Sequence, residues 1–108
     1  MNIDDFQKID IRVGKVIEVK EFENAKKPSY MLKIDFGPLG VKQSSAQITK
    51  LYTKEELLGK QIVAVVNLPP KQIANFISEV LVLGVDDEDG NVVLLMPERK
   101  AKLGARVY

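Results

Sequence analysis

The stretch "TKEELLG", Thr53–Gly59, is the segment on which the fold turns. Thr53 followed three residues later by Glu56 has the pattern of a capping box, in which each side chain accepts a hydrogen bond from the other residue's amide. Gly59 ends the run, so the segment reads as one short helix with Gly59 as its C-cap. On both sides of it the period is that of strands. "VKQSS" begins one at Val41, and "KQIVAVVNL", residues 60–68, supplies a buried one directly after the helix.

Further out the same pattern continues. "IDIRVGKVIEVKEF", residues 9–22, alternates Ile9, Ile11 and Val13 against Asp10, Arg12 and Gly14, then resumes with Val16 or Ile17 through Val19. Gly14 interrupts it and marks an expected bulge or bend, the device by which one long strand serves two sides of a small barrel. "SYMLKIDFG", residues 29–37, is a second strand closed by "GPLG", and "SEVLVLGVD", residues 78–86, and "NVVLLMP", residues 91–97, are further strands. The expectation is therefore all-β: a five-stranded barrel with a short helix between strands 3 and 4, which is the oligonucleotide/oligosaccharide-binding (OB) fold. An SH3-like barrel has a similar run of strands but does not usually place a helix there. "IDDFQKI", residues 3–9, reads as a short capped N-terminal helix with Phe6 plugging the barrel. C-terminal extension strands complete the reading, with "ARVY", residues 105–108, as a strand added across a dimer.

Composition narrows the chemistry. The 108 residues suffice for one core, so residues 1–108 are expected to form a single domain. With 45% hydrophobic and 29% charged residues, no long apolar run and no basic, apolar leader at the N-terminus, the expectation is a cytoplasmic protein without membrane insertion. The chain has no histidine and no cysteine, which excludes a Cys/His zinc site, a Ser-His-Asp triad and a Cys-His pair. "LLGKQ" lacks the first glycine and the Ser or Thr of a phosphate loop. "DDEDGN", Asp86–Asn91, is much shorter than a calcium-binding loop and reads as a turn between strands. No cofactor and no metal are implied, and the chain reads as a non-enzymatic binding protein. At a net charge of +1, a polyanion would have to be met by a local basic patch.

"KQSSAQIT", residues 42–49, places amides and hydroxyls where core residues are expected. Strand alternation cannot put Lys42, Ser44 and Ala46 on the same face as Gln43, Ser45 and Gln47. Either Ser44 or Ser45 caps the turn into the helix, with Gln43 and Gln47 satisfying backbone groups in the barrel or at a dimer seam, or the cluster donates to RNA or to an extended peptide.

Longer segments carry a family resemblance. "FQKIDIRVGKVIEVKEFENA", residues 6–25, and "LLGKQIVAVVNLPPKQIANFISEVLVLG", residues 57–84, resemble the tRNA-binding domain family, OB-folds found as free dimers and as appendages of aminoacyl-tRNA synthetases. "VKQSSAQITK", residues 41–50, and "VNLPP", residues 66–70, resemble its CsaA subgroup, described as export-related chaperones. The resemblance implies a homodimer, binding of tRNA or other structured RNA, and an affinity for unfolded or export-bound polypeptides, with the export motor ATPase as a further partner. Asn67, Ser78 and Glu79 match the family pattern. Ala46 and Gln47 replace its Ser-Gly-Ile core, Val80 and Leu81 replace a Gly-Met pair, and only Asn24 and Ala25 remain of a His-Pro-Asn-Ala-Asp segment.

Two sets of candidate residues follow. For RNA they are Lys42, Ser44, Ser45, Gln47, Lys50, Asn67, Lys71, Ser78 and Glu79, with Lys26, Lys27, Arg99, Lys100 and Lys102 as further cations for phosphates. Aromatic stacking is poorly provided, since there is no Trp and Phe36 reads as core. For a peptide they are Tyr30, Met31, Gln43, Pro69, Pro70, Ile73 and Phe76, because "NLPPKQIANFIS" is unusually apolar for a connection between strands. The alternative to an RNA-binding chaperone is a purely peptide-binding secretion chaperone with no RNA ligand.

Overall fold

The computed structural model describes residues 1–108. Its main sheet is antiparallel, with β1 (Ile11–Glu21), β2 (Tyr30–Asp35), β3 (Val41–Ala46), β4 (Gln61–Val65) and β7 (Leu81–Val82) in the order β3-β2-β1-β4-β7. Two hairpins stand beside it, β5 (Lys71–Ile73) with β6 (Phe76–Ser78) and β8 (Gly84–Asp86) with β9 (Val92–Leu94). The short helices are α1 (Ile3–Gln7) and α2 (Lys54–Leu57), the latter between β3 and β4 as expected. The five strands form a nearly closed barrel of OB type.

Each helix is set by its cap. In α2 the Thr53 hydroxyl accepts from the Glu56 amide at 3.1 Å and the Glu56 carboxylate accepts from the Thr53 amide at 3.0 Å. Gly59, with φ +90, turns the chain just after the helix, and its amide donates to the Val16 carbonyl at 2.8 Å. That connection drives Leu57, fully buried, into the barrel end. Asn2 and Asp5 cap α1 in the same way. Phe6, however, is only half-buried and lies outside the core cluster. The plug is Leu57 instead.

β1 serves both sides of the barrel: Ile11–Lys15 pair with β4, and Lys15–Glu21 pair with β2. The bulge that allows this is at Ile17, where the register shifts between Val16 and Glu18, and not at Gly14. One extra residue lets Val16 and Val19, three apart, both face the core. Gly14 has a different role. A Cβ there would lie 2.5 Å from Ile34 Cγ2 and 2.7 Å from the Phe36 ring, so glycine lets β1 lie against the largest fully buried side chain. Around Phe36 the core collects Tyr30, Leu32 and Ile34 from β2, Ile62 and Ala64 from β4, and Val80 and Leu94.

The structure places the tail and corrects two further expectations. The tail lies along β1 of its own chain, where Val13 donates to the Ala105 carbonyl at 2.9 Å and Val107 donates to the Ile11 carbonyl at 2.8 Å. It covers the edge of β1 that β2 leaves open. The expected strand over residues 78–86 is broken into β7 and β8. Residues 67–78, read as a connection, contain the β5–β6 hairpin, whose turn holds Ala74 at φ +53. "DDEDGN" does form a turn, with the Asp87 carboxylate accepting from the amides of Asp89 and Asn91 at 2.9 and 2.8 Å.

Candidate functional site

The polar string on β3 is largely consumed in closing the barrel. The outer edge of β3 forms no ladder with another strand, and the segment Ile77–Glu79, which starts in β6, lies along it. Glu79 donates its amide to the Gln43 carbonyl at 2.8 Å, and its carboxylate accepts from the Gln43 amide at 3.0 Å. The Gln43 side chain donates to the Ile77 carbonyl at 2.7 Å. The Ser45 amide donates to the Ser78 hydroxyl at 3.2 Å, and the Ser78 hydroxyl lies 3.4 Å from the Ser44 hydroxyl. Ser44 is 1% exposed and donates to the Ser45 carbonyl at 3.1 Å. Side chains thus satisfy backbone groups that a full ladder would otherwise pair. Neither serine caps the turn into α2; Thr53 does.

Where β3, the β5–β6 hairpin, β7 and the loop after β1 meet, they enclose a groove of about 800 Å³. Its rim carries Lys26 and Lys27 from the loop, Lys71 from β5, and Gln47 just beyond β3. Its floor and walls are apolar, with Leu68, Pro69, Ile73, Leu81 and Val82 prominent. Ser45, Ser78 and Glu79 lie between the two zones. The loop is tied to the hairpin turn, since the Asn24 side chain donates to Asn75 Oδ1 at 3.2 Å. Phe76 supports the hairpin from behind, its ring 5.5 Å from that of Phe22 at 59°.

The groove therefore draws on both sets of candidates. From the RNA set it takes Ser45, Gln47, Lys71, Ser78 and Glu79, and from the peptide set Pro69 and Ile73. The remaining candidates lie elsewhere. Lys42 is half-buried on β3 opposite Ile34, and Met31 is half-buried on β2 opposite Ser45. Pro70 is exposed beside the groove. Asn67 accepts from the Asp10 amide at 3.0 Å and donates to the Lys8 carbonyl at 2.8 Å, tying the end of α1 to the end of β4.

Lys50 belongs to a second, shallower depression, beside Glu21, Glu55 and Glu56. Tyr30 reaches this depression but is buried, and its hydroxyl donates to the Tyr52 carbonyl at 2.8 Å. Burial first, and then the carboxylates of Glu21, Glu55 and Glu56, hold its phenol above the ordinary range, so it remains a donor.

Leu68 and Leu81 are groove residues that were in neither set of candidates. Both are large, apolar and about half exposed, at 46% and 51%. The signal for Leu81 was the family position where Val80-Leu81 departs from the usual pair, with Val80 turned into the core and Leu81 outward.

Comparison with known proteins gives the family. A family model described as "Putative tRNA binding domain" matches residues 11–106. Among curated proteins, the methionine-tRNA ligase of Pyrococcus horikoshii is 45% identical over 107 residues, and that of Bacteroides fragilis 37%. The match covers 99% of this chain but 14% and 16% of those proteins, so the chain spans about one-seventh of the curated relatives' length. Among solved structures, the CsaA chaperone protein of Picrophilus torridus superposes with TM-score 0.94 at 57% identity, covering 100% of this chain and 99% of that one. The chaperone CsaA of Bacillus anthracis gives TM-score 0.94 at 54% identity, covering 100% and 98%. A MetRS-related protein of P. horikoshii gives 0.88 at 31%, covering 100% and 97%. The chain belongs to the tRNA-binding domain family and is a CsaA-like member of it.

Proposed function

We propose that the protein is a non-catalytic, cytoplasmic RNA-binding protein that holds the backbone of a structured RNA, tRNA first, along the rim of the groove. The observation that carries this is the convergence of Lys26, Lys27 and Lys71 with the exposed amide of Gln47 around one concavity of a tRNA-binding domain. Lysines act on phosphates as point charges, and amides and hydroxyls donate to phosphate and sugar oxygens. No aromatic side chain lines the groove, so the expected contact is with the backbone rather than with stacked bases. The functional unit in this reading is a homodimer, which doubles the cationic rim. Fluorescence anisotropy with total tRNA at two salt concentrations tests it. Affinity should fall steeply with salt, and an affinity indifferent to salt would refute it. Light scattering tests the dimer separately.

A second reading is favoured by the apolar floor. Leu68 and Leu81 leave large aliphatic surface in a concave site, a form suited to side chains of an extended polypeptide. The CsaA relatives bear the name of chaperones. On this reading the protein captures unfolded or export-bound chains and passes them to export components such as the motor ATPase. Capture through apolar contacts should be far less sensitive to salt than RNA binding.

A further inference from the structure

We infer that the groove selects, among extended polypeptides, those with an aliphatic segment flanked by acidic residues, and discriminates against segments with basic flanks. The inference rests on the polypeptide reading above. It is drawn from how charge and apolar surface are distributed around one concavity. The floor is aliphatic and has no ring on which a base could stack, so branched aliphatic side chains match it better than nucleobases do. A volume of about 800 Å³ accommodates several side chains. The charges at its edge are unequal: Lys26, Lys27 and Lys71 are exposed, and the only carboxylate in the lining is Glu79. That carboxylate already accepts from the Gln43 amide.

The lysines of the groove come from two elements. Lys26 and Lys27 come from the loop after β1, and Lys71 comes from β5 across the Asn24–Asn75 contact. A chain lying in the groove therefore meets cations carried by two separate elements, the loop and the hairpin. Asp or Glu flanking the aliphatic segment would meet lysines that have no salt-bridge partner within the chain, whereas Lys or Arg there would meet like charge. Phosphates would use the same lysines, so RNA is the competing occupant.

The test uses labelled peptides with a common Leu-Val-Leu-Val-Leu core flanked on both sides by aspartates, serines or lysines, titrated with the full chain at low and high salt. The aspartate-flanked peptide should bind about tenfold more tightly than the lysine-flanked one, with the serine-flanked peptide between them and the spread collapsing at high salt. The double variant Lys27→Glu/Lys71→Glu should reverse the order. Both residues are exposed, and an unchanged melting temperature would show that the fold is intact. Equal binding of the three peptides would overturn the charge selection while leaving polypeptide capture standing. Binding of none of them at low salt would sink the polypeptide reading itself. In that case, loss of tRNA binding in the charge-reversed variant would give the groove to RNA.

Discussion

Replacing Gly14 with alanine adds one carbon to a place that has no room for it. The new Cβ would lie 2.5 Å from Ile34 Cγ2 and 2.7 and 2.8 Å from two carbons of the Phe36 ring. Carbon atoms prefer separations of about 3.5–4.0 Å, so each contact is about 1 Å too short. Neither neighbour can yield easily. Ile34 and Phe36 are fully buried, and the Phe36 backbone is pinned by its amide donating to the Gly40 carbonyl at 3.0 Å. Behind it Gly104 is packed so closely that a Cβ there would meet the Phe36 carbonyl at 2.5 Å. Overpacking of a tight core costs about 1–3 kcal/mol, and with both neighbours fixed we expect the upper end, about 3 kcal/mol. For a domain of this size that lowers the melting temperature by about 10–15 °C. Thermal and urea unfolding followed by circular dichroism measure it. The φ of Gly14 is not positive, so backbone strain contributes nothing to the expected loss. A loss below about 0.5 kcal/mol, the level of an ordinary surface change, would refute the packing account and return Gly14 to a role in strand bending.

Four other outcomes are expected. Ala74→Gly relieves a left-handed φ of +53 in the β5–β6 turn; after the added freedom of the unfolded chain is subtracted, it should stabilise by about 0.5 kcal/mol, read as a higher urea midpoint at unchanged m. Tyr52→Phe removes the hydroxyl that accepts from the buried Leu94 amide at 3.0 Å and should cost about 1–3 kcal/mol in unfolding free energy. Lys26→Ala/Lys27→Ala/Lys71→Ala should flatten the dependence of log K on log salt for tRNA by about 0.7–0.9 per lysine, and an unchanged slope would exclude the rim as the phosphate contact.

The fourth concerns acid. Glu56 is held below its ordinary value of 4.5 by the amide and then the hydroxyl of Thr53, and Asp87 below 3.8 chiefly by the Asn91 amide. With folded values below unfolded ones, their stabilisation is complete above about pH 4.5 and is lost as pH falls through the lowered values. The double variant Glu56→Gln/Asp87→Asn should unfold with a flatter acid limb than the parent, and identical limbs would contradict the assignment.

Much of this molecule was legible in residue order because the information is local. The α2 capping box, the stop at Gly59, the strand within residues 29–37 and the turn at Asp86–Asn91 each depend on residues within a few positions of one another, and all four are present. The helix between the third and fourth strands favoured an OB barrel over its SH3-like alternative. Resemblance in longer segments supplied the family. Local order also explains why Val16 and Ile17 were ambiguous: the alternation breaks there, and which residue is extra depends on what lies opposite.

The rest was decided by atoms far apart in the chain. Gly14 looks the same in sequence whether it bends a strand or makes room for a ring, and only Phe36, 22 residues away, distinguishes the two. The serines and amides of β3 read equally well as ligands or as closures until Ile77–Glu79 are placed against them. The tail meets β1 through an isolated bridge between Arg12 and Arg106, and the edge of β1 that it covers exists only because β2 stops pairing at Lys15. The groove is assembled from five separate segments, so no single one carried its signature. Capping and alternation are set by bonded geometry over a few residues, whereas closure, burial and concavity arise only when distant segments exclude the same water.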